Sequence, residues 1–573
     1  MPSFPRLARA LGAVLALWAA QAVAQEEAGG LAGAYLAGRQ ASSANDAEAA
    51  ARYLSRALES DPENLGLAEL TLLNLIAAGR IGEAGPVAER LADGAPDNRL
   101  ANLALTVRDL RDGDFAAARA RATERPDAFQ PLVAPLLGGW AAFGMGDLAG
   151  AEALFGSAGD RALFRLFGQV HIGLARLIDG DAEGALSAFD AAFEEATQAP
   201  TPMLLARGAA LELAGRAAEA RALYAERASG AGGDPLARAA LARLDAGEPP
   251  PLPARDAATG AAEALHGLAG VLANESGRRL ALAYARLGAW LRPGADDAAL
   301  LIAELLEAEG QLEAAARAYA AITPDSALSL RAQIGRANVL RRLEREEAAV
   351  EALRAVARRA PDSVEAQLAL GDALRATEDW DDAAEAYGAA IALLDDAGAP
   401  NWAAFYQRGI AHERGGRWPL AETDFRRALE LQPDQPLVLN YLGYSWVDMG
   451  ENLDEAKAMI ERAVELRPED GYITDSLGWA LYRIGDFEGA VEWLEKAVAL
   501  APVDPTINDH LGDAYWMVGR RLEAQFQWKR ARSFDPEPKD LARIKRKLAV
   551  GLDVVLEEEA AAAPPARKAA DDL

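Results

Sequence analysis

Of the side chains that most often do chemistry, two are scarce in this chain: it has four histidines and no cysteine in 573 residues. Without cysteine there is no disulfide, no thiolate metal site and no thiol nucleophile. His171, His266, His412 and His510 are far apart, and none belongs to an HExxH or similar ligand pair. No GxSxG elbow, SxxK motif, Walker-type phosphate loop or calcium-loop pattern is present. Asp112-Gly113-Asp114 and Asp179-Gly180-Asp181 supply paired carboxylates, the groups of general acid–base catalysis. Gly and Asp are equally good turn formers, and both triplets fall where a turn is expected. Nothing meets the joint demand for nucleophile, base and orienting group. The expectation is a non-catalytic protein with no cofactor and no metal.

The elements that would position any site follow from a recurring glycine with an alanine five residues later. The pairs are Gly79/Ala84, Gly113/Ala118, Gly146/Ala151, Gly180/Ala185 and Gly215/Ala220, resuming as Gly277/Leu282, Gly310/Ala315, Gly416/Ala421, Gly485/Ala490 and Gly519/Ala524. Successive glycines in the first run are 34, 33, 34 and 35 residues apart. In the most regular unit, Leu477-Gly478 and Leu481 lie on a first helix (A), and Gly485 makes the turn. Ala490, Leu494 and Ala497 then form one stripe of a second helix (B), which Pro502 ends. Glycine suits the left-handed cap, and the small alanines let antiparallel helices approach closely. A period of about 34 residues is that of the tetratricopeptide class, which this chain resembles over nearly its whole length after the N-terminal segment. The resemblance implies an all-α, right-handed superhelical solenoid of about fourteen helix–turn–helix repeats.

The N-terminus has the pattern of a cleaved export signal at 1–24. Arg6 and Arg9 precede a short apolar run from Leu11 to Ala20, and Ala22-Val23-Ala24 is a small-x-small cleavage site. That run is too short to span a bilayer comfortably. An exported chain free of cysteine suits an oxidising compartment, so a periplasmic location is expected, with full secretion as the alternative. The net charge of −28 argues against binding a nucleic-acid backbone and would steer basic partners inward. All lysines lie at Lys457 or beyond, and eight of eleven tryptophans follow residue 375, so the two ends differ chemically.

A degenerate repeat block is expected at 31–246. Pro249-Pro250-Pro251 and Pro253 cannot sit inside a helix, which makes 247–260 a linker and divides the solenoid. A second block follows at 261–536, most regular over 364–536. Beyond it, 537–557 reads as one capping helix with Leu541, Ile544, Leu548, Leu552 and Val555 on its apolar stripe and a polar outer face that includes Lys545-Arg546-Lys547. The Ala/Pro/charged tail 558–573 is expected to be disordered.

In a solenoid of this class the A helices line the concave groove. Off their core stripe stand Asn440, Tyr444, Tyr472, Asp475, Trp479, Tyr482, Arg483, Asp509, Asp513 and Trp516. Aromatics with a few hydrogen-bonding groups are the usual anchors of protein and peptide binding. Packing between neighbouring A helices is the competing role for Trp479 and Trp516. The runs Leu439-Asn440-Tyr441-Leu442-Gly443-Tyr444 and Asp475-Ser476-Leu477-Gly478-Trp479, with the opening Tyr35-Leu36-Ala37-Gly38-Arg39, resemble proteobacterial envelope repeat proteins. Some of those are lipoproteins that bind a periplasmic C-terminal processing protease; this chain lacks the lipoprotein cysteine. The resemblance implies a periplasmic scaffold with a protein or peptide in its groove, an envelope protease or peptidoglycan-remodelling system being the first partner class. The alternative is a carbohydrate-handling factor in cell-wall or exopolysaccharide assembly, with the same aromatics stacking on sugars.

Overall fold

The computed structural model describes residues 31–562 except 160, 196–198, 230–232 and 275–276. The expected export signal and the last residues of the tail lie outside that range. Among the described residues there are 31 α-helices and no strand, an all-α repeat solenoid as the period predicts. None of these helices is long and apolar enough to cross a membrane.

The glycine ladder does what its chemistry requires. Gly113, Gly180 and Gly485 are left-handed caps with φ of 81°, 89° and 89°. In two repeats where the ladder is missing from the sequence, Glu344 and Glu378 take the same backbone conformation at φ 58° and 61°. Gly277 departs from the pattern: it precedes the Arg278–Leu291 helix with an ordinary φ of −103°. Asp114 and Asp181 of the acidic triplets accept hydrogen bonds from the backbone N–H of Ala117 and Gly184, capping B helices. The ladder alanines Ala118, Ala185, Ala490 and Ala524 are fully buried where the helices cross. A Cβ at Gly485 would meet nothing within 4 Å, so only the backbone resists substitution there. Gly485→Val is expected to cost at least about 1 kcal/mol in a urea titration.

The chain forms two compact units, Met1–Pro361 and Asp362–Leu573. The expected division at 247–260 is therefore corrected. The prolines do end a helix, at Asp245, but the apolar face of the next one, Ala257–Leu272, still needs cover. It finds that cover on the A helices Arg99–Asp112, Val133–Gly144 and Ala162–Asp179, while its hairpin partner Arg278–Leu291 packs on Leu65–Ala77 and Arg99–Asp112. A Cβ at Gly260 would lie 2.5 Å from Trp140, so only glycine lets the two helices meet there. Arg111 stacks 4.0 Å over Trp290. Arg279 donates to Asn45 at 2.6 Å, and Asn45 donates to the Glu309 carbonyl at 3.2 Å. The hairpin thus fills the inner side of the first unit with the protein's own chain.

In the second unit the A helices are Val364–Ala376, Trp402–Arg414, Pro436–Met449, Gly471–Ile484 and Pro505–Met517. Phe425, Trp446, Ile460, Leu494 and Trp528 are fully buried between them and their B helices. The single capping helix expected at 537–557 is instead a pair, Pro538–Val550 and Leu552–Ala562, broken at Gly551 with φ 89°. Trp516 leaves no room for a Cβ at that glycine, the nearest ring atom lying at 2.6 Å. The second helix continues through 558–562, where disorder was expected. Ile544, Leu552 and Val555 of the predicted stripe are buried, and Leu541 and Leu548 half-buried.

Candidate partner-binding face of the C-terminal unit

Three A helices carry the candidate residues: Pro436–Met449, Gly471–Ile484 and Pro505–Met517. Gln435, Asp470 and Asp504 cap their N-termini by accepting from backbone N–H groups. At the last of the three, the predicted groove is already occupied. Lys547 from the capping helix is fully buried, and its Nζ lies 2.7 Å from both Asp509 oxygens and from Asp513 Oδ1. Arg543 donates to Asp513 at 3.1 Å, and the Trp528 indole donates to the same carboxylate at 2.8 Å. Burial and the Asp513 charge push the Asp509 carboxyl above its ordinary value, against the pull of Lys547. Trp516 is 8% exposed, 5.3 Å from Trp528, with Arg521 over its ring at 4.3 Å. Asp509, Asp513 and Trp516 are internal packing and pairing groups, and the polar face expected of the cap turns Lys547 inward.

The two preceding A helices are different. Tyr472 is 64% exposed, and Arg483 is exposed and reaches the Asp448 carbonyl at 3.2 Å. Tyr444, Trp479 and Tyr482 are half-buried. Trp479 lies parallel to Tyr482 at 4.7 Å and to the His510 ring at 4.0 Å. Burial, with Asp475 and Asp448 nearby, pushes the Tyr444 hydroxyl up to about 12, so it remains a donor at neutral pH. The Asn440 side-chain oxygen is buried with no hydrogen-bond partner among the described residues. Trp479 and Tyr482 stack on each other and Trp516 is buried, which leaves Tyr472 as the open ring among these described candidates rather than a row of rings for sugar stacking.

Asp475 is buried, and its two oxygens lie 3.1 and 3.0 Å from His510 Nδ1. Burial lowers the histidine pKa, but the Asp475 charge and hydrogen bond outweigh it, aided by Asp509 and Asp513, and the net shift is upward. A histidine raised above its unfolded value of about 6.5 adds stability that is complete below that pH and lost as pH rises through the folded value. His171 works oppositely: burial lowers it to about 3, and it accepts from the Trp140 indole at 3.2 Å. The His510 contribution should therefore be read as a difference. Urea titrations at pH 6 and pH 9 should show a fall in stability that is larger in the parent than in Asp475→Asn. Equal pH dependence of the two proteins would refute the pairing.

Sequence reasoning missed His510, Lys547 and Arg543. The available signal was separation by one repeat: His510 lies 35 residues from Asp475, and Lys547 lies 34 from Asp513. That spacing places two residues on helices one repeat apart.

The Tetratricopeptide repeat family model matches residues 334–398, 369–436 and 442–505. The TPR repeat-containing protein PA4667 of Pseudomonas aeruginosa is 33% identical over 89 residues, 16% of this chain and 15% of that protein's length. A tetratricopeptide repeat protein from Parabacteroides merdae overlays 45% of this chain and 98% of its own, with a TM-score of 0.37 at 17% identity. One chain of the APC/C hetero-tetramer Cut9–Hcn1 overlays 90% of this chain and 95% of its own length, also with a TM-score of 0.37, at 14% identity. The helix pairs within the matched residues are similar to tetratricopeptide repeats.

Proposed function

We propose that this chain is a non-catalytic periplasmic adaptor that holds a protein segment against the A-helix face from Asn440 to Arg483. The observation that carries the reading is the contrast between neighbouring A helices. The Asp509–Trp516 face is filled by the protein's own capping helix, whereas the preceding face keeps Tyr472 and Arg483 exposed beside half-buried Tyr444, Trp479 and Tyr482. Exposed aromatics and arginine next to buried rings form the type of patch that concentrates binding energy. The signal-like N-terminus and the resemblance to envelope repeat proteins support the location and make an envelope protease or peptidoglycan-remodelling enzyme the first partner class to test.

Affinity capture from envelope extract tests the reading. The parent should retain a discrete protein that Tyr472→Ala/Arg483→Glu releases, with helicity unchanged because both side chains are exposed. Retention of the same proteins by both, or of none by the parent, would reject it. Recovery of the chain by osmotic shock would support the compartment; a purely cytoplasmic pool would rule it out.

A further inference from the structure

The outer surface of the second unit changes character at the last B helix before the capping pair, Arg521–Ser533. Buried Ala524, Trp528 and Ala531 hold this helix to the core, and the opposite stripe carries Leu522, Phe526, Lys529 and Ser533 at helical spacing. Leu522 is 65% exposed and Phe526 56%. The ladder alanines Ala490 and Ala524 set the register against the preceding B helix, Phe487–Leu500. There the positions of Leu522, Phe526 and Lys529, 34 residues earlier, hold Glu488, Glu492 and Glu495, all exposed. The same outward stripe is thus acidic in one repeat, and apolar and cationic in the next.

The cations of this stripe are left without carboxylates. Lys529, Arg530 and Arg532 are exposed and make no ion pair among the described residues. By contrast, Arg520 pairs with Glu495 and Glu523, and Arg521 with Asp553. Asp535, just past the helix, is also unpaired among the described residues, and the three cations outnumber it. The Lys529 ammonium lies 5.6 Å from the Phe526 ring centre, so charge and apolar surface form one patch. Arg530 donates to the Pro502 carbonyl at 3.0 Å, which sets the turn carrying Val503, 67% exposed, beside the helix.

We propose that this face docks on an anionic lipid surface, with Leu522, Phe526 and Val503 entering the headgroup layer and Lys529, Arg530 and Arg532 pairing with its phosphates. Basic residues beside large apolar ones are the composition of helices that lie in a bilayer interface. An outer helix of a repeat stack is a ridge, which meets a plane but offers a peptide no groove to fill. Self-association through the patch would oppose like charges. The chain as a whole carries −28, so the attraction acts only within a screening length of the patch. The patch lies on a B helix, apart from the A-helix face proposed for the protein partner, so either can fail without the other.

Flotation of the full chain with vesicles of equal parts phosphatidylglycerol and phosphatidylcholine tests the assignment, with vesicles of phosphatidylcholine alone as the comparison. The anionic vesicles should carry the chain at low salt and release it at high salt. Leu522→Ser/Phe526→Ser and Lys529→Glu/Arg532→Glu should each weaken the association about tenfold or more. All four side chains are exposed, so helicity and melting should stay those of the parent. No flotation with the anionic vesicles, equal flotation with both kinds, or undiminished binding in either double variant would overturn the proposal. Release of the vesicle-bound chain by a charge-equivalent amount of soluble polyglutamate would assign the face to an acidic protein and overturn it as well.

Discussion

Lys547→Met should destabilise the C-terminal end of the chain by about 3–5 kcal/mol, the range for removing one member of a buried ion pair. The ammonium is fully buried and serves two carboxylates, Asp509 and Asp513, at 2.7 Å. Methionine fills similar volume, so the loss is electrostatic and leaves Asp509 desolvated beside Asp513. Arg543 still reaches Asp513 at 3.1 Å but approaches Asp509 only to 3.8 Å. A second change, Asp509→Asn, should therefore recover much of the loss by removing the charge that has lost its partner. Because repeats couple mainly to their neighbours, the measurement should combine a urea titration with amide exchange over 505–562. An unchanged titration midpoint, or no recovery in the double variant, would show that Lys547 does not hold the cap.

In the first unit, Trp140→Ala is expected to cost about 3–5 kcal/mol. Its ring is fully buried against Phe143, Phe155 and His171, and Gly260 of the filling hairpin rests on it. The change opens a cavity and also leaves His171 Nδ1 without its donor. Amide exchange should accelerate through Ala257–Leu272 and Arg278–Leu291, which are remote in sequence from the substitution. Gly260→Leu should produce the same exchange pattern by steric exclusion, although it leaves the tryptophan in place. Acceleration confined to 133–156 in both variants would mean that the hairpin is held by other contacts.

The repeating architecture was legible because helix turns and close crossings admit few residue types. Gly485 and Ala490 announce themselves through backbone conformation and size, and both stand where the period puts them. Glu344 and Glu378 were illegible as turns, since a residue other than glycine can be held left-handed once neighbouring helices impose the geometry. The candidate site was legible only in part. Tyr472 and Arg483 are exposed as their helix positions suggest, but nothing local distinguishes Trp479 from Trp516. What covers Trp516 includes Gly551 of the capping pair, far along the chain, and a charged lysine in that pair reads from sequence as surface. The Pro-rich stretch misled for a related reason. Prolines report that a helix stops, and they say nothing about what the next helix packs on.

The filled interior of the first unit bears on how that unit comes into being. An open stack of repeats can lengthen or shorten by one module, because each joint is local. Here Asn45 meets Glu309 across 264 residues, and the hairpin must meet several A helices at once. Removing or adding one repeat before residue 257 would shift those helices out of alignment with Gly260 and Trp290, so module number is locked. The order of synthesis adds a second constraint. Until residue 291 has emerged, the inner faces of Leu65–Ala77, Arg99–Asp112 and Val133–Gly144 have no cover, and loop-closure cost delays their burial further. For that interval the nascent chain presents a long apolar trough, the form a chaperone would recognise and the form most exposed to aggregation.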